Sequence, residues 1–185
     1  MAINRDTYWQ LINEWTQAPH LIRHMLAVEA SMRAYAERFG EDIETWGLAG
    51  LIHDFDYEKF GMDGHVTKGV PILREKGVPE EVLHTINAHY ASATGVKPET
   101  RMDKTLMAVD ELTGFITAVT LVRPSKQISD VEVSSVRKKW KAKEFAAAVD
   151  RAEIEHYATE IGVTLDEHIG VVLNAMKGIA SEIGL

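Results

Sequence analysis

Cysteine is absent from the 185-residue sequence, which excludes disulfide bonds and thiolate metal ligands. Long apolar runs are absent as well, and no stretch has the length needed to cross a bilayer. The N-terminal residues MAINRDTYWQ lack the apolar segment of a signal peptide. These absences predict a cytoplasmic protein with no membrane partner.

Several catalytic motifs are also missing. The sequence has no glycine-rich phosphate-binding loop, no HExxH zinc motif and no cue for a Ser-His-Asp triad. Basic residues are outnumbered by acidic ones, 20 against 28, and the net charge of −8 argues against general nucleic-acid binding. Residues 123–143 are the exception, with a local charge of +5. We interpret them as a solvated basic face and expect no nucleic-acid partner.

Helical periodicity is present along the whole chain. Apolar residues recur at spacings of three and four, and no run alternates strictly, as a half-buried strand would. The predicted fold class is therefore all-α, in a single domain spanning residues 1–185. The predicted helices of the first two thirds cover about 4–15, 19–39, 41–55, 79–93 and 101–122.

The other segments are punctuated by turn residues. GMDGH (61–65) is expected to be a loop, and Gly64-His65 to open a short helix that ends at Gly77. Ser129-Asp130 is expected to cap a basic helix. Two C-terminal helices are predicted near 150–161 and 164–182.

The doublet His53-Asp54 stands at the end of an apolar helix, in GLIHDFDYEKF. Burying an unpaired carboxylate and an imidazole at such a place costs free energy. A divalent cation would satisfy both groups, because neutral imidazole and carboxylate together suit Mn, Fe, Co, Ni or Zn. The doublet therefore indicates a metal site.

Three motifs extend this pattern: His24 in LIRHMLAVEASMRAYA, His53-Asp54 in LAGLIHDF and Asp110 in LMAVDELTGF. Over residues 20–122 the chain resembles the HD-domain superfamily of metal-dependent phosphohydrolases. The resemblance implies an HD-like helical bundle with its metal-site core at about 20–122 and additional C-terminal helices at about 123–185.

A two-metal subset of that superfamily adds two histidines between the doublet and the last aspartate. The segment GHVTKGVPILREKGVPEEVLHTINAHYAS is similar to that subset and supplies His65 and His89. By this resemblance His24, His53 and Asp110 hold one divalent transition metal, His65 and His89 hold a second, and Asp54 bridges them. An alternative is a single metal, with His65 and His89 contacting the substrate or supporting the ligands.

Further catalytic and substrate-binding residues are predicted around this centre. Besides Asp54, the catalytic candidates are Glu58, four residues after it and a possible general acid or base, and Lys68, which shares a helix face with His65. Lys68, Arg123 and Lys126 are predicted to bind substrate phosphate. Four other polar residues are given no role at the centre. Asp56 is expected at the surface, Arg23 is expected to point elsewhere on the helix than His24, His84 lies off the face of His89, and His168 is expected to have no partner.

The resemblance implies a hydrolase that cleaves a phosphoester or phosphoanhydride with a metal-activated water. The expected substrate is a small phosphorylated molecule such as a nucleotide. Two alternatives stay open. An HD-fold di-iron oxygenase would use the same ligands, and a non-catalytic HD-like module would serve interactions alone. Metal identity and oligomeric state are open as well.

Overall fold

The computed structural model describes residues 4–185 as an all-helical bundle, which confirms the predicted fold class. This part of the chain contains no β-strand and no helix long and apolar enough to cross a membrane. A single 3-10 turn, Ile128–Asp130, separates α8 from α9. The α-helices are α1 (Arg5–Trp15), α2 (Pro19–Phe39), α3 (Ile43–Ile52), α4 (Tyr57–Gly64), α5 (Gly69–Glu75), α6 (Glu80–His89), α7 (Ala91–Thr94), α8 (Arg101–Leu121), α9 (Val133–Trp140), α10 (Arg151–Glu160), α11 (Leu165–Gly178) and α12 (Ala180–Ile183).

Local chemistry sets several helix ends. The side chain of Asn4 accepts a hydrogen bond from the amide of Asp6 and so caps α1. Gly40 ends α2 in the left-handed conformation, with φ of 70°. Thr100 and Asp103 cap each other's amides at the start of α8, which forms a capping box. These boundaries follow from residues within one turn of each helix end.

The long helix α2 lies at the centre of the fold and packs against α3, α8 and α11. It meets α3 at backbone distance, because a Cβ atom on Gly50 would lie 2.9 Å from the backbone nitrogen of Glu29. The short turn after Gly40 makes α2 and α3 antiparallel. This close packing brings His24 of α2 near His53, which directly follows α3.

The segment after His53 differs from its predicted structure. Helix α3 ends at Ile52, and α4 occupies most of the predicted GMDGH loop, with a break at Gly61 (φ 61°, ψ −177°). His65 follows α4 instead of opening a helix, and α5 begins only at Gly69. Long-range hydrogen bonds hold this region together, which local sequence patterns do not reveal.

The C-terminal helices α10, α11 and α12 pack against α2 and α8. Contrary to the prediction, His168 of α11 has partners, because Nδ1 lies 2.6 Å from the hydroxyl of Tyr35 and Nε2 lies 2.9 Å from the carbonyl oxygen of Ala108. The predicted cap Ser129-Asp130 lies in the 3-10 turn, and Glu132 immediately precedes the basic helix α9. The buried imidazole of His168 in α11 thus contacts Tyr35 of α2 and Ala108 of α8 and links the three helices.

Candidate metal centre

The two oxygens of Asp54 face two different groups of side chains. Oδ2 lies 3.5 Å from His53 Nε2 and 3.8 Å from His24 Nε2. Oδ1 lies 3.3 Å from His65 Nε2 and 3.6 Å from His89 Nε2. Asp110 joins the first group, with Oδ1 at 2.9 Å from His24 Nε2. The structure thus brings all six predicted metal ligands to one place.

Five segments of the bundle supply these side chains. His24 comes from α2, His53 and Asp54 from the end of α3, and Asp110 from the middle of α8. His65 follows α4, and His89 is the last residue of α6. His53 is fully buried, whereas the side chains of Asp54 and Asp110 are 18% and 26% exposed. The centre therefore extends from the core, at His53, to solvent, at Asp54 and Asp110.

Hydrogen bonds fix the orientation of three of the imidazoles. Nδ1 of His53 lies 2.8 Å from the carbonyl oxygen of Gly50, and Nδ1 of His89 lies 2.6 Å from that of Ile86. Nδ1 of His65 lies 2.7 Å from the carboxylate of Asp56. Because each Nδ1 faces an acceptor, it carries a proton, and in the neutral form of each ring the Nε2 lone pair points to the centre.

His24 is oriented through a hydroxyl group. The hydroxyl of Thr113 donates to the carbonyl oxygen of Asp110 at 2.8 Å, so its oxygen accepts the Nδ1 proton of His24 at 3.2 Å. The Nε2 atom of His24 then points toward the carboxylates, as the other three do. All four histidines share one tautomer, which is the arrangement that metal-binding histidines adopt.

These lone pairs fit a cation. Nε2 of His53 is buried and has no hydrogen-bond partner in the part of the chain that the structure describes. Nε2 of His65 and Nε2 of His89 lie 3.2 Å apart, although two neutral rings with protons on Nδ1 cannot hydrogen-bond there. Two groups have ligand atoms close enough to share an ion, His24 with His53 and Asp54, and Asp54 with His65 and His89.

The electrostatics also favour positive charge at the centre. Burial by itself lowers the pKa of His53, but the carboxylates of Asp54 and Asp110 outweigh burial and raise that pKa to about 9. Burial raises the pKa of the Asp110 carboxyl, yet His53 and His24 hold it well below its ordinary value. A proton or a metal cation can supply the charge that the carboxylates attract.

Asp56 was predicted at the surface, and this is wrong. Its side chain is fully buried and accepts two hydrogen bonds, from His65 Nδ1 at 2.7 Å and from the Val66 amide at 2.9 Å. Val66 has a φ of 64°, which is strained for a β-branched residue. Asp56 therefore holds a strained turn and the ring of a candidate ligand at once. In the sequence, the clue to this role was that Asp56 lies two residues after the His53-Asp54 doublet.

Glu58 and Lys68 form no hydrogen bond or ion pair with the six residues in the part of the chain that the structure describes. Glu58 is exposed, and its Oε2 accepts hydrogen bonds from the amides of Gln17 and Ala18 at 2.9 Å each, where α2 begins. Lys68 is exposed, and its Nζ lies 5.6 Å from the ring centre of Phe60. Their predicted catalytic and substrate-binding roles stay predictions, and the hydrogen bonds of Glu58 point to a structural role.

Arg123 and Lys126 lie at the far end of α8. Eleven residues separate Asp110 from the end of that helix at Leu121, a rise of about 16 Å. Arg123 donates to the hydroxyl of Ser135 at 3.2 Å, and Lys126 is exposed with a φ of 53°. Phosphate binding by these two residues stays a prediction, and the structure places them away from the centre.

Arg23 was predicted to point elsewhere on the helix than His24 and was given no role, and this stays a prediction. The two side chains line the same cavity of about 220 Å³, which also receives His20. Adjacent residues point in different directions along a helix, but this cavity is wide enough to reach both. His84, also given no role, lies with Nδ1 3.1 Å from the carboxylate of Asp103, a pair that belongs to the start of α8.

Comparisons with known proteins agree with this centre. The HD domain family profile matches residues 21–114, just over half of the chain, and the matched region contains all six residues. Ribonuclease Y of Desulfotalea psychrophila is 29% identical over 99 residues, which cover 51% of this chain. The match spans only 18% of that protein's length. No solved structure matches this chain. The chain belongs to the HD domain family, a superfamily of metal-dependent phosphohydrolases.

Proposed function

We propose that this protein is a metal-dependent phosphohydrolase that cleaves a phosphoester or phosphoanhydride bond in a small phosphorylated substrate. The observation that carries the proposal is the position of Asp54. One of its oxygens faces His24 and His53, and the other faces His65 and His89. A carboxylate in this position suits a bridge between two divalent cations.

Each residue then has a defined task. His24, His53 and Asp110 would hold one cation, and His65 and His89 the other, with Asp54 between them. Bound divalent cations supply positive charge for phosphate oxygens and lower the pKa of a coordinated water. Two such cations and two carboxylates sum to a formal charge of about +2. An anionic substrate is therefore attracted to the centre although the protein is acidic overall.

Two further observations support a phosphoester bond and a small substrate. The similarity to a protein named ribonuclease Y supports phosphoester chemistry. The net charge of −8 argues against a long polyanion as substrate, because phosphate backbones bind to basic surfaces. We therefore propose a small molecule, and an oligoribonucleotide is the contrasting substrate in the test.

The test begins with elemental analysis of protein purified without chelators. We expect one or two equivalents of a transition metal. A screen of phosphomonoesters, nucleotides and a short oligoribonucleotide, with added Mn, Co, Ni or Mg, should then reveal hydrolysis. Asp54→Asn is expected to lose both metal and activity. Asp63→Asn, an exposed residue of α4, serves as the matched control and should retain both.

Two outcomes would overturn the proposal. Protein without stoichiometric metal, together with a flat screen, would favour the non-catalytic module. Bound iron with oxygen uptake and no phosphate release would favour the di-iron oxygenase, whose ligand set is the same. Wild-type rates in Asp54→Asn would remove the bridging carboxylate from the mechanism.

A further inference from the structure

A groove leads away from the metal centre between α2 and α8. On α8, Asp110 is followed by Gly114, Thr117 and Leu121 at spacings of four, three and four, which places all four on one face. The last three line the 220 Å³ cavity beside His24. A volume below the roughly 300 Å³ of the smallest drug-sized pockets suits a small molecule.

The opposite wall of the groove carries one guanidinium and two imidazoles. His20 lies one turn before His24 on α2, and both line the cavity together with Arg23. Because α2 and α8 run in opposite directions here, this wall also leads away from the centre. No aspartate or glutamate side chain of residues 4–185 lines the cavity, although the chain is rich in both.

Arg23 is free to bind an anion. Its guanidinium lies near Gly184, where an added Cβ would be 3.2 Å from Cζ, and the remaining wall is apolar, formed by Ile183 and Leu185. Within residues 4–185 no carboxylate side chain lies within ion-pair distance of Arg23, whereas Arg5 and Arg33 both pair with Glu29. Arg23 is exposed to solvent, and its planar guanidinium can bind a carboxylate or phosphate through two parallel hydrogen bonds.

We infer that this groove binds the far end of the substrate and that this end carries a second anionic group. The phosphoryl group lies at the metal centre, a short carbon skeleton follows the apolar wall, and a carboxylate or second phosphate pairs with Arg23. The inference rests on the proposed function and names its substrate class as small organophosphates with two acidic groups. Nothing lies within 4 Å of the position that a Cβ on Gly114 would take, so a larger side chain there has open space to enter.

The test measures binding to the metal-loaded protein by calorimetry, with three series of straight-chain phosphonates of increasing length. The members end in a methyl group, a carboxylate or a second phosphonate. At the best chain length we expect an anionic end to bind about tenfold more tightly than the methyl end. The tighter of the two anionic ends identifies the second group of the substrate.

Two variants make the test specific. Arg23→Gln should abolish the tenfold preference and keep both the affinity for the methyl series and the metal content. Lys97→Gln, an exposed loop residue, is the control and should keep the preference. Gly114→Leu fills the groove and should weaken the longer anionic members about tenfold more than the shortest, with unchanged metal content.

The outcomes separate this inference from the proposed function. Equal affinity of the methyl and anionic series at every length, or a preference that survives Arg23→Gln, would overturn the groove as a second anion site. The methyl series would still report phosphonate binding at the metal centre. If none of the three series binds to metal-loaded protein, the proposed function fails and the inference fails with it.

Discussion

The carboxylate of Asp56 accepts the Nδ1 proton of His65 at 2.7 Å, and its second oxygen binds the amide of Val66 at 2.9 Å. One buried side chain therefore orients a candidate ligand and holds the strained residue beside it. Carboxylates that support a metal-binding histidine in this way raise its basicity and fix its ring. Asp56 bonds to Nδ1 of His65 and not to the Nε2 atoms that face the candidate metal centre.

Asp56→Asn tests this supporting role. The neutral amide has one oxygen, which can accept the proton of His65 or the Val66 amide but not both, and it removes the negative charge that makes the imidazole a stronger ligand. We expect the affinity for one of the two cations to fall about 10- to 100-fold while the other cation is retained. Metal titration followed by calorimetry measures both affinities. Loss of both cations to the same extent, or of neither, would contradict this selective effect.

A pair of glycine substitutions tests the packing around the same carboxylate. A Cβ on Gly69 would collide with Oδ2 of Asp56, so Gly69→Ala should displace the carboxylate and destabilise the protein by about 1–3 kcal/mol. Gly114→Ala meets no atom within 4 Å and should stabilise helix α8 by up to about 1 kcal/mol. Urea unfolding of the two variants measures the difference. If both variants changed the free energy of unfolding equally, the Asp56 carboxylate would have moved aside at little cost.

The buried imidazole of His168 predicts a pH-dependent stability. Burial lowers its pKa from 6.5 to about 4 in the folded protein. Between these values the unfolded chain binds more protons than the folded chain, so stability falls as the pH drops from 6.5 toward 4. The full contribution is about 3 kcal/mol.

His168→Gln should flatten this part of the stability profile, although it also costs stability at neutral pH through its broken hydrogen bonds. Urea unfolding at several pH values compares the variant with wild type and with His156→Gln, an exposed control. The comparison cancels the titration of the other histidines. An unchanged slope in His168→Gln would assign the acid sensitivity to other groups.

Glu58→Gln separates the catalytic interpretation of Glu58 from the structural one. Its carboxylate accepts hydrogen bonds from the amides of Gln17 and Ala18 through one oxygen, and the oxygen of Gln can still accept them, so we expect a loss of at most about 1 kcal/mol in unfolding free energy. Chemical denaturation measures this loss, and hydrolysis by the folded variant is measured beside it. A large fall in kcat without a change in stability would instead support the general acid or base predicted from the sequence.

Local patterns in the sequence were sufficient for much of the fold. Helix periodicity predicted the all-α class, and the predicted helices 4–15 and 19–39 agree with α1 and α2, because the cap at Asn4 and the left-handed Gly40 act within one turn. The structure of the region after His53 was harder to predict from the sequence. Its α4 helix depends on a buried carboxylate bonding residues nine and ten positions away, and no local rule reports such a bond.

The sequence by itself determined the residue types of a metal centre and, through resemblance, which six residues to examine. Only the tertiary structure decided that they meet, that Asp54 lies between two groups of histidines and that Asp56 is buried behind His65. It also placed Arg23 in a groove beside His24 and left Arg123 at the far end of α8. The physical reason is that spacing along one helix fixes a face, whereas the packing of α2, α3, α6 and α8 decides which faces share a site.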